Sequence, residues 1–541
     1  MSNGDNGSGQ DAGVRQNWLF WACFAALVTT SFGFIVRAMV IGDWAKQFNL
    51  SETQSGEIFG VGLWPFAISI VLFSLVIDRI GYGKAMVFAF VCHVASAIIT
   101  VCAPLMLPGP GADATALKAG QDAGYWMLYI GNFVVALGNG TVEAVINPVV
   151  ATMYSREKTK WLNILHAGWP GGLVLGGILA IGMGAQTDWR YKVCLIFLPT
   201  LVYGIMLLGQ KFPVQERVKA GVPYKSMLQE AGILGAVIVV TLMVREVGRV
   251  FSWGTYTQLA VGAILVLGYG AYVKALGRLM FIFLVIIMMP LAITELGTDS
   301  WITALMEPEM AQLGLPAGLV LVYTSAIMMI MRFFAGPIVH KLSPLGLLAV
   351  SSLVAALGLV ALSASTGVAI LLAATLYGFG KTFFWPTMLG VVSERFPKGG
   401  ALTLNSISGV GMLTVGVVGT ALLGNIQDKT IDGRLQEKHP EVHAKIIDAE
   451  KMSVFGAYSP VNQQKVDRLP EAERTQVQTV RDEAKKAALA GVAGFPVFML
   501  VCYLILILYF RAKGGYKAEV LAGHEAKDER FTGGTEGPGE G

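Results

Sequence analysis

Charged residues are scarce in this sequence. Asp, Glu, Lys and Arg make up 14% of the 541 residues, while hydrophobic residues make up 54%. A chain with so little charge cannot cover the surface of a soluble domain with polar side chains. The charges that are present cluster between apolar runs of roughly 20 residues, the length that a helix needs to cross a hydrocarbon core of about 30 Å. The pattern predicts an all-α polytopic membrane protein.

Cysteine is also rare. The five cysteines lie in apolar runs and form no CxxC pair, which gives no indication of a disulfide framework or a zinc site. Walker sequences, metal-spaced His/Cys clusters and nucleophile elbows are absent from the sequence as well. We therefore expect no cofactor or metal, and a transporter rather than an enzyme. The expected partners are a small-molecule substrate and the lipid bilayer, without nucleic acid, and we expect a monomer.

The apolar runs fall into two groups of six, within residues 17–211 and 279–511. Loops rich in Lys and Arg alternate with loops poor in them, and the positive-inside rule places the basic loops in the cytoplasm. The linker 212–278 contains two further apolar runs, Ala231–Val244 and Leu259–Val273. The alternation of charge requires that both cross or neither does. We predict that both cross, giving fourteen spans, with twelve as the alternative if the first run lies at the interface.

Three segments lack long apolar runs. Residues 1–16 and 512–541 are predicted to be disordered cytoplasmic tails, so both termini face the cytoplasm of a cell (inner) membrane. Residues 425–486 are polar with charges of both signs, and they are predicted to be a long outer loop between the last two spans.

An internal repeat relates the two groups of runs. Ser74-x-x-x-Asp78-Arg79-x-Gly81 recurs as Gly336-x-x-x-His340-Lys341-x-Ser343, Gly140 and Pro148 recur as Gly378 and Pro386, and Leu162-Asn163 recurs as Leu404-Asn405. Two six-helix repeats explain these matches. Transporters built from repeats hold their substrate between them.

The segment from Ser74 to Lys84 resembles the loop motif between helices 2 and 3 of the major facilitator superfamily. With the helix count and the two halves, the resemblance covers essentially the whole chain. It implies a fold in which two helical halves rock around a central site. It also implies that Asp78, Arg79 and Lys84 act as a cytoplasmic latch.

A narrower resemblance lies in helices 4 and 5. Glu143-Ala-Val-Ile-Asn147-Pro148, followed by Leu162-Asn163, is similar to the fucose-galactose-glucose:proton symporter (L-fucose permease-like) branch of that superfamily. The resemblance implies that Glu143 takes part in substrate binding and proton coupling. The branch has an aspartate in helix 1, whereas this chain has Ala38 there, beside Arg37.

Helix 4 carries a line of polar residues. Asn139, Glu143 and Asn147 are four residues apart, which places them along one face of a helix. A carboxylate in a span is costly against lipid, so Glu143 should face the bundle interior or a wet cavity. The repeat relates Glu143 to Lys381 in helix 10, and we expect the two to face each other across the cavity. The alternative for Glu143 is an interhelical hydrogen bond without a role in transport.

Other residues suit recognition of a sugar, which needs an aromatic platform with amide and hydroxyl partners. Candidates are Asn163, His166 and Trp169 in helix 5, Trp385 in helix 10, Asn405 in helix 11 and Glu295 at the end of helix 7. Arg37 and Arg332 are candidates for an anion site or a gate.

These observations predict a secondary active transporter of a small polar solute. We expect a monosaccharide, carried with protons by alternating access. An organic-anion or sugar-acid transporter is the first alternative, favoured if Arg37 and Arg332 point inward with Lys381. A membrane sugar receptor that does not transport is the second.

Overall fold

A computed structural model describes residues 15–184, 186–298, 310, 319–365, 367, 369–453 and 456–521. Nearly all of the predicted tail 1–16 and residues 522–541 of the predicted tail 512–541 lie outside this range.

The first bundle contains, in chain order, α1 (Gln16–Phe48), α2 (Glu52–Gly60), α3 (Trp64–Ile80), α4 (Tyr82–Cys102), α5 (Ala114–Met153), α6 (Lys158–His166), α7 (Gly168–Gly182), α8 (Trp189–Cys194), α9 (Phe197–Leu207) and α10 (Glu216–Lys219), with a 3₁₀ turn at Ala103–Met106. Several spans consist of two helices in sequence, such as α6 with α7 and α8 with α9. Local sequence sets the boundaries. At the start of α2, for example, the Ser51 hydroxyl accepts from the Gln54 N–H, while the Gln54 side chain accepts from the Ser51 N–H.

The linker forms a helical hairpin of α11 (Tyr224–Val250) and α12 (Thr255–Val273). The backbone leaves the helical conformation at Gly232, where φ is 59°, and an added Cβ there would lie 2.0 Å from the Gly277 nitrogen. This close approach joins the two ends of the hairpin and requires glycine. Both helices are long and apolar enough to span a membrane. Helix α12 lies on the outside, since only 6% of its apolar window is buried.

The remaining elements are α13 (Leu279–Ala292), a π-helical turn (Ile293–Gly297), α14 (Leu319–Phe333), α15 (Ala335–Leu342), α16 (Pro344–Ala364), α17 (Ala369–Lys381), α18 (Phe384–Arg395), a 3₁₀ turn (Pro397–Gly399), α19 (Gly400–Thr414), a second π-helical turn (Val415–Gly419), α20 (Thr420–Lys438), α21 (Pro440–Ile446), β1 (Lys451–Ser453), β2 (Gly456–Tyr458), α22 (Gln463–Asp467), α23 (Glu471–Val492) and α24 (Gly494–Ala512). Strands β1 and β2 pair antiparallel, with Lys451 opposite Tyr458. The second bundle comprises α13 to α19 and α24.

Within the described residues, 12 helices are long and apolar enough to cross a membrane, and counting the bent pair α14 and α15 gives 13. Helices α17 and α18 supply one further span of the second bundle, in two pieces interrupted at Thr382 and Phe383. The fold agrees with the predicted all-α architecture and with the two added central helices.

The two bundles pack against each other along two seams. Helix α19 packs on α3, and α14 packs on α7. Helix α18 packs on α6 at one end of the molecule. The hairpin is joined to the second bundle, because α11 packs on α19.

The segment 425–486, predicted to be a long polar connection between the last two spans, has a folded structure of its own. Helices α20 to α23 form a folded unit there, with a hydrophobic cluster that includes Ile431, Leu435, Ile446, Val477 and Val480. Helix α20 continues from α19, and α23 leads into α24. The segment looks polar because its apolar residues are spaced for a small core rather than gathered in a run.

The two ends of the bundle differ, and we name them by their residues. The basic face carries Asp78, Lys158 and Arg395, and the distal face carries Glu57 and the folded unit 420–492. The start of α1 lies at the basic face, where the Gln16 side chain donates to the Met153 carbonyl. The chain after α24 returns along this face, because the Glu519 N–H donates to the Glu394 carbonyl over 2.8 Å. Residues 513–521 are therefore held in place, contrary to the predicted disorder of residues 512–541.

Candidate functional site

A central cavity lies between the two bundles. It is lined by Phe66, Ile70, Glu143, His166, Trp169, Glu295, Leu296, Arg332, Trp385 and Met412. Six of these residues were predicted from the sequence: Glu143, His166, Trp169, Glu295, Arg332 and Trp385. The cavity has a volume of about 30 Å³, which admits ordered water but is far below the size of a ligand pocket. A solute can be accommodated only if the bundles move apart.

The second bundle contributes an ion pair, which is built around the break between α17 and α18. The Arg332 guanidinium donates to the Glu295 carboxylate at 2.8 Å, and both side chains are at least 96% buried. Arg332 also donates to the Thr382 carbonyl at 2.7 Å, and Glu295 accepts from the Trp385 N–H at 2.9 Å. The break exposes these backbone groups, which need partners inside a membrane. The pair therefore supplies the hydrogen bonds that the interrupted helix lacks.

The first bundle contributes a chain of hydrogen bonds that ends at Glu143. The Asn147 side-chain amide donates through Nδ2 to the Glu143 carboxylate at 2.7 Å. His166 Nε2 donates to Oδ1 of the same Asn147 side chain at 2.9 Å. The His166 backbone carbonyl accepts from Arg332 at 2.8 Å. Asn147 thus lies behind the cavity and orients two lining residues. The chain connects the carboxylate of the first bundle to the ion pair of the second.

Aromatic side chains from both bundles meet at the cavity. Trp169 on α7 stacks on Phe66 with ring centroids 6.5 Å apart, and Trp385 on α18 is 7% exposed. An indole presents an apolar face to a ligand and one N–H donor. With the Glu143 carboxyl, these rings give the cavity both apolar surface and hydrogen-bonding groups.

Two predicted residues lie elsewhere. Asn139 faces α4, where its side-chain oxygen Oδ1 lies 2.9 Å from His93 Nε2. The other ring nitrogen of His93, Nδ1, lies 2.9 Å from the Tyr203 hydroxyl. Arg37 donates to the Ser96 hydroxyl at 2.8 Å and to the Gly33 carbonyl at 3.2 Å, inside the first bundle. The structure thus places Asn139, predicted to bind substrate, and Arg37, predicted to serve an anion site or a gate, away from the central cavity.

Three further predicted residues lie near the cavity without lining it. Asn163 donates to the Thr387 hydroxyl at 3.1 Å, and Asn405 donates to the Ala144 carbonyl at 3.0 Å. Both bonds cross between the bundles. Lys381 is 1% exposed, lies 5.5 Å from the centre of the Tyr377 ring and acts electrostatically on Glu295. The expected pairing of Glu143 with Lys381 is replaced by Glu143 with Asn147 and Glu295 with Arg332.

The basic face is closed by polar contacts between the bundles. The Lys158 ammonium donates to Glu216 at 2.7 Å and to the Ser393 carbonyl at 3.2 Å. The Glu394 carboxylate accepts from the Thr159 hydroxyl at 2.6 Å and from the Tyr516 hydroxyl at 2.8 Å. All of these side chains except the half-buried Tyr516 are buried. Two of the bonds, Lys158 to Ser393 and Thr159 to Glu394, run between the bundles, and the contacts exclude water from the cavity at this end.

The predicted latch residues lie beside this closure. Asp78 forms an ion pair with Arg217, in the segment after the sixth span. The Arg79 guanidinium lies 5.2 Å from the centre of the Tyr224 ring, at the start of the hairpin, and Lys84 is exposed. The motif therefore ties the first bundle to the linker, whereas the contacts between the bundles are made by Lys158, Thr159 and Glu394.

Sequence analysis missed the residues that close the basic face. Glu394, Lys158 and Thr159 were not among the residues predicted to act in transport. The internal repeat contains a signal for Glu394, because the offset that aligns Pro148 with Pro386 also aligns Arg156-Glu157 with Glu394-Arg395. The contribution of Tyr516 leaves no such signal, since it depends on how the chain folds back after α24.

Comparisons with known proteins agree with this architecture. A family model described as Major Facilitator Superfamily matches residues 21–423. The gentisate transporter of Corynebacterium glutamicum is 22% identical over 213 residues, which is 39% of this chain and 42% of that protein. This chain spans less than half the length of the curated relatives that it matches.

Solved structures show the same fold. The proton:xylose symporter XylE of E. coli, bound to 6-bromo-6-deoxy-D-glucose, superposes with a TM-score of 0.56 at 15% identity, covering 79% of this chain and 91% of that one. The E. coli fucose:proton symporter FucP superposes with a TM-score of 0.51 at 14% identity, covering 88% and 98%.

Proposed function

Because the chain belongs to the major facilitator superfamily, in agreement with the family and fold predicted from its sequence, we propose that this membrane transporter carries a neutral polyhydroxylated solute by alternating access. A monosaccharide is the simplest such solute. The proposal includes proton symport through Glu143. It also includes an orientation in a cell (inner) membrane with the basic face, and so both termini, on the cytoplasmic side.

The proposal of a neutral solute rests on the hydrogen bonds of Arg332, which are all made within the protein. Its three nitrogen atoms donate to Thr382, His166 and Glu295. A guanidinium that is held in this way has little capacity left for a substrate carboxylate. The Glu143 carboxyl and the two indole rings remain as the chemistry of the cavity, because Glu295 already accepts from Arg332 and from the Trp385 N–H. A carboxyl group exchanges hydrogen bonds with hydroxyl groups, and its ionised form repels anions, so it favours a neutral solute.

The proton role of Glu143 rests on its place between the bundles. Among the described residues, the partner of its carboxylate is the neutral Asn147 side-chain amide, so no cation among these contacts holds it in one charge state. When the bundles rock, such a carboxyl meets water on one side and then on the other. It can then bind a proton on one side and release it on the other.

The closed basic face and the separated distal ends define the starting state of the cycle. With the basic face toward the cytoplasm, the structure corresponds to a conformation that is closed inside. Solute and proton would enter from the distal face. Breaking the contacts of Lys158 and Glu394 would then open the path to the cytoplasm.

Uptake by purified protein in liposomes tests the proposal. Labelled D-xylose, L-fucose and gentisate are offered with and without an inward proton gradient. We expect gradient-stimulated uptake of a neutral sugar. The Glu143→Gln variant should lose at least tenfold in gradient-driven accumulation and keep solute exchange. Glu473→Gln, the same change in the folded unit at the distal face, is the control. Proton-coupled uptake that is unchanged in Glu143→Gln would remove Glu143 from the mechanism.

An organic anion is the second candidate. It is favoured by the two cations of the second bundle, Arg332 and Lys381, which act on Glu295 at the broken helix, and by the relative named gentisate transporter. Uptake of gentisate alone would support it. A receptor that does not transport would bind a solute in the same preparation and show no flux.

A further inference from the structure

A second, larger cavity opens at the distal face, outside the central cavity. It has a volume of about 440 Å³, and its lining includes Phe59, Trp64, Glu246, Arg249, Met412 and Val417. We call this cavity the vestibule. Its volume lies within the range of small-molecule sites, whereas the central cavity is far below it.

The charged groups of the vestibule come from the inserted hairpin. Glu246 is 4% exposed, and both its oxygens accept from Arg249, from Nε at 3.0 Å and from Nη2 at 2.6 Å. The Arg249 side chain is 63% exposed. A guanidinium has five N–H donors in a fixed plane, and this pair uses two of its nitrogen atoms. The buried carboxylate therefore orients a guanidinium that still has donors available to the vestibule.

The remaining wall supplies aromatic surface. Phe59 and Trp64 flank the break between α2 and α3, and the Trp64 ring packs edge-on against Phe133 with centroids 5.6 Å apart. Oriented donors beside aromatic rings are the combination that recognises hydroxyl groups carried on an apolar ring. The vestibule thus has the chemistry of a sugar site without a free carboxylate, since Glu246 is already paired.

Met412 connects the two cavities, because it lines both. A solute that moves from the vestibule to the central cavity must pass this side chain. Methionine has three rotatable side-chain bonds and no branch, so it can move aside at little cost. The vestibule therefore lies on the path from the distal face to Glu143 and the two tryptophans.

From this geometry we propose that the vestibule is a second solute-binding subsite, in which Arg249, oriented by Glu246, binds hydroxyl groups of the solute before it passes Met412. The proposal rests on the transport function proposed above and assigns the hairpin a direct part in it. Two bundles of six helices alone would lack both charged residues. The hairpin thereby adds a polar wall to the solute path beside α3 and α19.

A cysteine reporter tests the subsite in the purified full chain. Gly60 lines the vestibule, and an added Cβ there has nothing within 4 Å, so Gly60→Cys fits. Gly254→Cys, at the turn of the hairpin and with equal space, is the control outside the lining. The wild-type chain, whose five cysteines are buried or half-buried, gives the background. The measurement is the rate of labelling by N-ethylmaleimide with and without saturating D-xylose or L-fucose.

We expect the sugar that is transported to slow labelling of Gly60→Cys at least threefold and to leave Gly254→Cys unchanged. Adding Arg249→Ala should abolish the protection, whereas adding Glu143→Gln should retain it. Sugar uptake without protection of Gly60→Cys, or protection that survives Arg249→Ala, would overturn the subsite and leave the proposed function intact. Protection by gentisate alone would overturn the neutral substrate class for both sites. Failure of every probe to protect would overturn the subsite.

Discussion

The basic face and the distal face are held by different kinds of contact. At the basic face, Lys158 and Glu394 are buried, and each makes hydrogen bonds from one bundle to the other. At the distal face, ion pairs lie within one element or within the folded unit, such as Arg190 with Asp188, Arg249 with Glu246 and Lys445 with Glu473, while the vestibule separates the bundles. One end therefore ties the bundles together, and the other stabilises each element by itself.

This difference identifies the contacts that set the conformation. A net hydrogen bond to a charged, buried group contributes about 1.5–3 kcal/mol, whereas an exposed ion pair contributes about 0–1 kcal/mol. The closed state of the basic face thus depends on a few buried bonds, and a change there should shift the equilibrium between the two ends. The same change at the distal face should have little effect.

The largest effect is expected from Gly390→Ala. An added Cβ at Gly390 on α18 would lie 2.2 Å from the Thr159 hydroxyl and 2.8 Å from its Cα, so α6 and α18 must separate. Such overpacking costs about 1–3 kcal/mol, or roughly five- to 150-fold in the population of the closed state. We expect the distance between spin labels on Lys211 and Lys341, measured by double electron–electron resonance, to increase. Uptake should fall by about the same factor as the population of the closed state.

Gly378→Ala is the matched control. It lies in the same broken span, on α17, and an added Cβ there has nothing within 4 Å. It should leave both the distance and the uptake near wild type. Equal behaviour of the two variants would show that close packing of α6 on α18 does not determine closure.

The sequence predicts most of the central cavity because its residues lie on faces that helical spacing and the repeat define. Asn139 shows the limit of spacing. Four residues advance a helix by about 40° beyond a full turn. Asn139 and Asn147 therefore diverge by twice that angle, so that one faces α4 and the other His166. Arg37 shows a second limit, since α1 is apolar nearly all round and its sequence does not indicate which side meets the cavity.

The expected pair of Glu143 with Lys381 fails for a different reason. The repeat treats helices 4 and 10 as equivalent, yet α5 runs unbroken past Pro148, whereas the corresponding helix is interrupted before Pro386. The interruption exposes backbone groups that Arg332 and Glu295 bind. A symmetric alignment of sequences cannot represent this asymmetry. The contacts of residues 513–521 also depend on tertiary structure alone.

A smaller effect is expected from Tyr516→Phe. The change removes one hydrogen bond to Glu394 and keeps the ring in place. A hydrogen bond contributes about 0.5–1.5 kcal/mol, so the closed state should become about two- to tenfold less populated, with the same spin labels as the readout. Tyr509→Phe, on the exposed side of α24, is the control. No shift in Tyr516→Phe would mean that the chain after α24 does not contribute to closure.

The smallest effect is expected at Glu157, which joins Lys160 of its own bundle to His340 of the other at 3.2 Å. Partial burial raises the pKa of the Glu157 carboxyl, but its bonds to Lys160 and His340 outweigh this and hold the pKa below its ordinary 4.5. Because the pKa is lowered, the bonds of the charged Glu157 carboxylate to Lys160 and His340 are fully present above pH 4.5. They weaken as the pH falls through the lowered pKa. Because the group is one-third exposed, Glu157→Gln should shift the closed population by about twofold or less at pH 7. The spin-label distances of wild type and variant should converge when the pH is lowered below the lowered pKa of Glu157. A difference that persists there would mean that the charge of Glu157 is not what ties the bundles at this position.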